Sequence, residues 1–186
     1  MTLVAGIDSS TQTCKVTVRD LATGAVVGAG VGGELWFRGF NLFTHYHNDP
    51  AKTAEVYDAE GWFDSGDIGS VDEDGYLTFL GRVKDMLKVG GENVACIEIE
   101  AYLMSHPAIA VAAAVGKPDE KYDEVPVAFV ELVPGHDVQP QEIIDFAAKG
   151  LAKFKVPREV HIVTEWPMNA GTKIQKFKLK EQLVSS

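Results

Sequence analysis

The strongest constraint on the fold of this chain is the regular change between helix-like and strand-like sequence from Arg82 to Ser186. The helix-like segments have apolar residues three or four positions apart, whereas the strand-like segments are short runs rich in valine, isoleucine and alanine. These segments follow one another as 97–105 (helix), 109–115 (strand), 127–133 (strand), 140–149 (helix) and 160–163 (strand), before a lysine-rich helix at the end. Interleaved strands and helices over this length predict a small α+β domain.

Residues 33–81 carry shorter local signals. The segment Glu34–Arg38 alternates as a strand does, and the proline of Asp49-Pro50 suits the first turn of a short helix. The turn-forming residues 72–75 separate two apolar segments, which predicts a β-hairpin.

The first thirty residues predict a strand meander. An apolar run at Leu3–Ile7, an alternating segment at Lys15–Arg19 and a third run at Ala25–Val27 are separated by turn residues. Four glycines between Gly28 and Gly33 then mark a candidate boundary.

The composition excludes several classes of protein. With 46% apolar and 24% charged residues, the chain has the profile of a globular protein and not of a disordered tail. The formal net charge of −10 argues against nucleic-acid binding, because phosphate backbones attract clustered Lys and Arg. Residues 151–186 nevertheless carry seven Lys or Arg and three Glu, so this basic segment is able to meet a small anion such as a nucleotide or a carboxylate.

The two cysteines and the apolar runs bear on the cellular location of the protein. Cys14 and Cys96 lie outside any CxxC pattern, which indicates reduced thiols packed as small hydrophobes and neither a disulfide framework nor a zinc site. The longest apolar run, Ala108–Val115, is far below the roughly 20 residues that a membrane-spanning helix needs. No signal segment opens the chain. We therefore expect a cytoplasmic protein without a membrane span, and its oligomeric state stays open.

Four sequence segments together carry a family resemblance. They occur in the order Gly33–Gly39 (GELWFRG), Gly61–Asp67 (GWFDSGD), Gly81–Asn93 (GRVKDMLKVGGEN) and Lys173–Phe177 (KIQKF). In this order and at these intervals they resemble the adenylate-forming (AMP-binding) enzymes, the family of acyl-CoA synthetases, luciferases and peptide-synthetase adenylation domains. The resemblance covers residues 33–183.

The resemblance implies a reaction and a division into domains. Such enzymes activate a carboxylic acid with ATP, whose phosphates carry Mg²⁺, to an acyl-adenylate, and then pass the acyl group to a thiol, usually that of coenzyme A. Residues 33–81 are then a remnant of the β-subdomain of the large domain, a partial β-barrel. Residues 82–186 are the small, mobile α+β C-terminal domain.

By the same resemblance, two residues contact the ribose of ATP or AMP. Asp67 matches the aspartate that accepts hydrogen bonds from both ribose hydroxyls, a role that suits a carboxylate because it offers only acceptors. Arg82 matches the arginine of the same contact, with its fixed fork of donors. A turn-capping aspartate and a surface arginine are the alternative interpretations.

The resemblance also places a hinge for the mobile domain at Lys84, judged by its distance from Arg82. Asp85 is the competing candidate, because many family members carry aspartate at the hinge. Hinges are positions at the ends of elements that absorb large changes in φ and ψ.

Lys88, Gly90 and Gly91 match the coenzyme A side of the family's site. Glycines there let the backbone run close to an extended pantetheine arm, which a Cβ atom would block. A plain tight turn is the alternative interpretation, and the two are compatible.

Lys173 matches the family lysine that reaches the acyl carboxylate and the α-phosphate during adenylation, where it stabilises developing charge. Family members often read Thr-Gly-Lys, whereas this chain reads Gly171-Thr172-Lys173, so the geometry of the loop is an open question. The alternative is a solvated lysine among its neighbours Lys176, Lys178 and Lys180.

His45 and His47 alternate as ligands on one face of a strand do. No third ligand is suggested nearby and the family has no metal there, so no metal site is predicted. The aromatic residues of the first two motif segments are expected in the core: Trp36, Phe37, Trp62 and Phe63.

The phosphate-binding loop and the acyl pocket of the family have no match in this sequence. The chain is therefore interpreted as a fragment of an ATP-dependent acyl-CoA ligase that is inactive alone. It would meet nucleotide, coenzyme A and a carboxylic acid only when complemented by a large domain. The alternative is a non-catalytic domain that docks onto a partner carrying the large domain.

Residues 4–16 carry a second resemblance, to the opening of a sugar kinase of the xylulokinase type. It implies that residues 1–30 are the first phosphate-binding hairpin of an actin-like fold, joined to the ligase segment between Gly28 and Gly33. A sugar-kinase fragment is the second alternative function, and an unrelated N-terminal hairpin is the plain alternative.

Overall fold

The computed structural model describes residues 5–9 and 12–184. The chain divides between Lys84 and Asp85 into two compact units, an N-terminal unit and a C-terminal unit. Each unit has its own sheet and its own buried core.

The N-terminal unit is built on one antiparallel sheet whose strands follow chain order. Its strands are β1 (Ala5–Ser9), β2 (Gln12–Arg19), β3 (Gly33–Arg38), β4 (Phe63–Val71) and β5 (Leu77–Arg82). A short helix, α1 (Pro50–Val56), lies in the connection between β3 and β4. Because the strand order is linear across the described residues, the sheet is open, and the expected partial barrel is not closed.

One face of this sheet is buried. Val16 and Val18, alternate residues of β2, pack with Leu35 of β3 and Val71 of β4, because every second side chain of a strand points to the same face. Strand β2 pairs with β3, with Val16 opposite Phe37. The segments on either side of the predicted junction therefore share one sheet.

The local predictions for this unit are largely confirmed. Asp49 caps α1 by accepting a hydrogen bond from the amide of Lys52 (2.9 Å), and the predicted turn at 72–75 joins β4 to β5. The predicted strand Ala25–Val27 is wrong, since it forms only an isolated bridge between Val26 and Arg19. Gly24 and Gly30, on either side of it, have positive φ, which interrupts the extended conformation that a longer strand requires. The predicted run Leu3–Ile7 begins outside the described residues.

The C-terminal unit has a mixed sheet with three helices. Its elements are β6 (Met86–Val89), β7 (Glu92–Ala95), α2 (Cys96–Met104), β8 (Ile109–Asp119), β9 (Asp123–Leu132), α3 (Pro140–Gly150), β10 (Glu159–Ile162) and α4 (Lys176–Val184). Strand β9 pairs with β8 and β6 in antiparallel fashion and with β10 in parallel. The α+β fold class predicted from the sequence is confirmed.

Both faces of this second sheet are buried. Ala112 and Ala114 of β8 pack in one apolar cluster with Ile99 of α2 and Ile143 of α3. On the other face, Ala113 and Val115 of β8 and Val127 and Phe129 of β9 pack in a second cluster with Leu179 of α4. The near-continuous apolar runs of β8 and β9 thus follow from burial on two sides.

The helices and strands predicted for this unit are confirmed, although β8 continues to Asp119. The β6–β7 hairpin was not predicted, because its strands are four residues long and carry charged side chains such as Lys88 and Glu92. Within residues 5–9 and 12–184, the helices lack the length and apolarity needed to cross a membrane.

Candidate functional site

Asp67 and Arg82 face each other across β4 and β5. They are direct register partners, and Arg82 Nε donates a hydrogen bond to Asp67 Oδ1 at 3.0 Å. The side chains are 28% and 50% exposed, respectively. Just before the aspartate, Gly66 has φ of +66° and the amide of Asp67 donates to Ser65 Oγ, so a local turn fixes the carboxylate at this point of the strand.

The chemistry of this pair suits the binding of hydroxyl groups. Among the described residues, Asp67 Oδ2 accepts no hydrogen bond, and the terminal amino groups of Arg82 donate none. A carboxylate offers further acceptor positions and a guanidinium further donors, so the pair can receive a diol from both sides. An ion pair this exposed contributes little to stability.

The two hinge candidates lie where the units divide. A single 3₁₀ turn, Val83–Asp85, contains both, and the boundary between the units falls between Lys84 and Asp85. The Lys84 side chain is exposed, whereas Asp85 is half-buried.

Gly90 and Gly91 form the two-residue turn of the β6–β7 hairpin. Their φ values are +60° and +88°, the left-handed conformation that such a turn requires and that glycine adopts without strain. The amide of Gly90 donates to the carbonyl of Tyr122 at 2.9 Å, and a Cβ atom at Gly90 would lie 3.2 Å from the Tyr122 ring. A Cβ atom at Gly91 would meet nothing within 4 Å, so that side of the turn is open.

Lys88 precedes this turn with an exposed side chain. Its amide donates to Glu124 Oε2 at 3.1 Å, and the other oxygen of the same carboxylate lies 3.7 Å from Lys180 Nζ. Glu124, which the sequence did not single out, thus links strand β6 to helix α4.

Lys173 lies on a tight loop between β10 and α4, and its side chain is exposed. The base of the loop is closed by a hydrogen bond from the amide of Gln175 to the carbonyl of Pro167 (2.7 Å) and by the bridge between Met168 and Ile174. Thr172 has φ of +59°, a conformation that is costly for a β-branched residue. In the Gly-Thr-Lys order of this chain, a threonine therefore occupies a left-handed position that a glycine would occupy without strain.

The loop is anchored to the body of the C-terminal unit at both ends. Before it, Trp166 Nε1 donates to Glu131 Oε2 at 2.6 Å. After it, Lys176 Nζ lies 2.6 Å from Glu100 Oε1, which also accepts from the amide of Ala114 at 2.8 Å. Neither anchor was predicted, because each joins residues far apart in the sequence.

The Lys176 ammonium lies in a half-buried polar cluster. Burial lowers the pKa of Lys176, but Glu100, and more weakly Asp85, offset it, so the pKa is raised above its usual value. Burial raises the pKa of the neighbouring Cys96 thiol to about 12. Cys96 is therefore an unreactive apolar side chain at neutral pH.

His45 and His47 do not share the face of a strand, because the segment that carries them is irregular. Each ring instead contacts its sequence neighbour, His45 with Thr44 Oγ1 (2.9 Å) and His47 with Asn48 Nδ2 (3.2 Å). In the described part of the chain, no three His, Cys, Asp or Glu residues are grouped as a metal site requires.

Trp36 and Trp62 were expected in the core, but the structure does not bury them fully. Both are half-buried, and the guanidinium of Arg19 lies over their rings, with its carbon 4.1 Å from the centroid of Trp36 and 5.9 Å from that of Trp62. Arg19 also pairs with Asp58 at 2.8 Å. The indoles are thus engaged within the N-terminal unit, and a residue of β2 supplies their partner.

The comparisons with known proteins agree with these motifs. The family described as "AMP-binding enzyme C-terminal domain" matches residues 98–173. The chain is 38% identical over 170 residues to the putative acyl-CoA synthetase YngI of Bacillus subtilis, covering 91% of this chain and 31% of that protein. It is 39% identical over 180 residues to 2-methylpropanoate–CoA ligase CCL4 of Humulus lupulus, covering 95% and 32%. The crystal structure of ATP-bound MatB from Rhodopseudomonas palustris superimposes with a TM-score of 0.85 at 31% identity, covering 96% and 35%.

Two facts follow from these alignments. The chain spans about a third of the length of the relatives it matches. Because 95% of the chain aligns with the Humulus lupulus ligase, the similarity takes in most of the first thirty residues. These relatives give no support to the sugar-kinase resemblance of that segment.

Proposed function

We propose that this chain, whose residues 98–173 match the AMP-binding enzyme C-terminal domain, provides the C-terminal part of an ATP-dependent acyl-CoA ligase. In the first half-reaction, a carboxylate oxygen of the acid attacks the α-phosphate of ATP and pyrophosphate leaves. In the second, the thiol of coenzyme A attacks the acyl carbon of the adenylate, the acyl–phosphate bond breaks, and AMP and the thiol proton leave as acyl-CoA forms.

The residues of the N-terminal unit supply the ribose contact. Asp67 Oδ2 accepts the hydroxyl hydrogens of the ribose, while the Nε–H of Arg82 holds the carboxylate in place through Oδ1. The observation that carries the proposal is this 3.0 Å pair, since it offers unused acceptors and donors side by side in a segment that aligns with CoA ligases.

The residues of the C-terminal unit divide between the half-reactions. Lys173 stabilises the negative charge that develops at the α-phosphate during adenylation, as a positioned ammonium can. Lys88, Gly90 and Gly91 meet the pantetheine arm in the second half-reaction, where the space beside Gly91 is open. The hinge between the two states lies at Lys84, with Asp85 as the alternative.

Mg²⁺ is assigned to the phosphates of the nucleotide, and no residue of this chain is proposed to hold it. The triphosphate cradle and the acyl pocket are likewise assigned to a large domain. On this proposal the chain alone does not adenylate an acid.

The test is ATP–pyrophosphate exchange with the chain alone and after complementation. The complementing polypeptide is the part of the Humulus lupulus ligase that precedes its match to this chain, called here the CCL4 piece, and the acid is 2-methylpropanoate. We expect no exchange with either polypeptide alone and acid-dependent exchange with both. Exchange by the chain alone, or none with the mixture although the two bind, contradicts the proposal.

One observation favours a second candidate, a non-catalytic domain that docks onto a partner carrying the large domain. Strand β5 is an edge strand of its sheet across the described residues, and Leu77, Phe79 and Leu80 are exposed along it, as is Tyr76 directly before it. Exposed apolar edges of this kind pair with other chains. Binding of the CCL4 piece without any exchange is the result that favours this candidate.

A further inference from the structure

We propose that Asn169 is the positioning residue for Lys173, because its side chain fixes the backbone from which the lysine projects. The inference rests on the proposed function of Lys173 in adenylation. It concerns a residue four positions upstream that carries no charge and has no expected contact with substrate.

A single side-chain oxygen organises the tip of the loop. Asn169 Oδ1 accepts hydrogen bonds from the amide of Gly171 at 3.0 Å and from the amide of Lys173 at 2.9 Å. The amide of Asn169 in turn donates to the carbonyl of Lys173 at 3.0 Å. Both backbone polar groups of Lys173 are therefore bound to the same residue.

These bonds hold Thr172 in a strained backbone conformation. Thr172 has φ of +59°, and the left-handed region costs a non-glycine residue roughly 1–2 kcal/mol. In a loop that reads Thr-Gly-Lys, glycine would hold this position without strain. In this chain, loss of the two Asn169 Oδ1 bonds would leave only backbone bonds to this residue, among them the one from the amide of Thr172 to its carbonyl (3.1 Å), and would let Thr172 relax to negative φ and redirect Lys173.

The base of the loop does not depend on Asn169. It is closed by the hydrogen bond between Gln175 and Pro167 and anchored by the bond from Trp166 to Glu131. A substitution of Asn169 is therefore expected to alter the tip of the loop and leave the sheet and helices intact. Gly171, Thr172 and Lys173 are all exposed, so a loss of order there buries or uncovers little apolar surface.

The variants separate the acceptor from the rest of the side chain. Asn169→Ala removes Oδ1, whereas Asn169→Asp keeps an acceptor oxygen at the same place. Met168→Ala is the matched control, since it truncates an exposed side chain on the same loop, whose bridge to Ile174 uses only the backbone.

The first measurement uses the full chain alone and follows amide hydrogen exchange by NMR. Asn169→Ala should speed exchange at Gly171 and Lys173 by about three- to tenfold, in line with the modest net worth of one hydrogen bond. The other amides of the C-terminal unit should be unchanged. Asn169→Asp and Met168→Ala should keep the wild-type rates. Unchanged exchange at Gly171 and Lys173 in Asn169→Ala overturns the inference.

The second measurement takes single-turnover rates of both half-reactions with the CCL4 piece and 2-methylpropanoate. A catalytic group displaced by about 1 Å can lose about 10²-fold in rate, so Asn169→Ala should slow adenylation by about ten- to a hundredfold. Thioester formation from a preformed adenylate should stay within about twofold, and Asn169→Asp should restore adenylation.

Lys173→Ala distinguishes a failure of the positioning role of Asn169 from a failure of the proposed function. If Lys173→Ala slows adenylation and Asn169→Ala does not, the positioning role is wrong and the proposed function stands. If Lys173→Ala has no effect, or the complemented wild type is inactive, the proposed function and the inference fail together. Equal slowing of both half-reactions by Asn169→Ala reduces the residue to a structural role.

Discussion

The ammonium of Lys176 lies 2.6 Å from a carboxylate oxygen of Glu100, and this contact ties the first residue of α4 to helix α2. The two side chains are 25% and 13% exposed, so the pair is better shielded from water than the other ion pairs described in the C-terminal unit. Glu100 also satisfies the amide of Ala114 in the edge of the buried strand β8. Helix α4 and the loop before it are thus held by a charge and not by apolar contacts alone.

Removal of Glu100 should destabilise the C-terminal unit. Glu100→Ala leaves the half-buried Lys176 ammonium and the Ala114 amide without a partner, which costs about 2–4 kcal/mol of the free energy of unfolding. Urea denaturation at pH 7, followed by Trp166 fluorescence, measures it. Lys155→Met, which breaks the more exposed pair with Glu98, is the control and should cost less than about 1 kcal/mol. Equal effects of the two substitutions would show that burial does not set the strength of these pairs.

The N-terminal unit should lose stability in acid through Asp58. Burial raises the pKa of Asp58, but hydrogen bonds from the amide of Trp62 and from Arg19 outweigh it, so the pKa is lowered below its ordinary value of 3.8. A carboxyl group whose pKa is lowered on folding stabilises the fold above its unfolded pKa and loses that contribution as the pH falls through the folded pKa.

The measurement compares Asp58→Asn with the wild type by fluorescence of Trp36 and Trp62. The substitution should cost about 1.5–3 kcal/mol at pH 7, the worth of a hydrogen bond to a charged group. The difference should shrink once the pH falls below 3.8, the ordinary pKa of an aspartate side chain. The exposed Asp74→Asn is the control and should leave the curve unchanged. A difference that stays constant down to pH 2 contradicts the assignment.

The strained residue before Lys173 gives a stabilising substitution. Thr172→Gly removes the left-handed strain of roughly 1–2 kcal/mol and adds the unfolded-state entropy of glycine, roughly 0.5–1 kcal/mol. The free energy of unfolding should therefore rise by about 0.5–1 kcal/mol. Thr164→Gly, at an exposed position without positive φ, should lower it by a similar amount. A loss of stability in both variants would mean that Thr172 is not strained.

The hinge assigned to Lys84 predicts a separation of the half-reactions. Proline fixes φ near −65°, a value within the 3₁₀ range, so Lys84→Pro should block the change of φ that a hinge at this position needs. With the CCL4 piece present, adenylation should survive and thioester formation should fall. Lys84→Ala controls for the loss of charge and should leave both rates within about twofold. If Asp85→Pro alone has the described effect, the hinge lies at Asp85.

Much of the fold could be predicted because its signals are local. The apolar runs of β8 and β9 and the proline-led helices α1 and α3 carry their structure in adjacent residues. The β6–β7 hairpin could not be predicted in the same way, since its strands are short and charged. Its turn at Gly90 and Gly91 was nevertheless visible in the sequence.

In the candidate site, too, residues that belong to local motifs were predicted and residues that act through long-range or backbone contacts were not. The motif residues Asp67, Arg82 and Lys173 were named from the sequence, but the facing of Asp67 and Arg82 depends on a register shift between Ile68 and Gly69 that the predicted hairpin did not include. Asn169 and Glu100 were missed, because an uncharged side chain bonding to a nearby backbone and an ion pair between distant helices leave no periodic pattern. The composition of Asn169-Ala170-Gly171 does indicate a turn, and that was the one signal available for Asn169.

Single-turnover rates of Lys173→Ala and Gly91→Leu test whether this chain serves the two half-reactions of a CoA ligase with different residues. Both variants are measured with the CCL4 piece, 2-methylpropanoate and coenzyme A, starting once from the free acid and once from a preformed adenylate. Lys173→Ala should slow adenylation by about 10²–10³-fold and spare thioester formation. Gly91→Leu should do the reverse, because its side chain enters the open space proposed for pantetheine, and it also adds left-handed strain of roughly 1–2 kcal/mol to the turn. If both variants slow both steps equally, these residues are structural and the account is wrong.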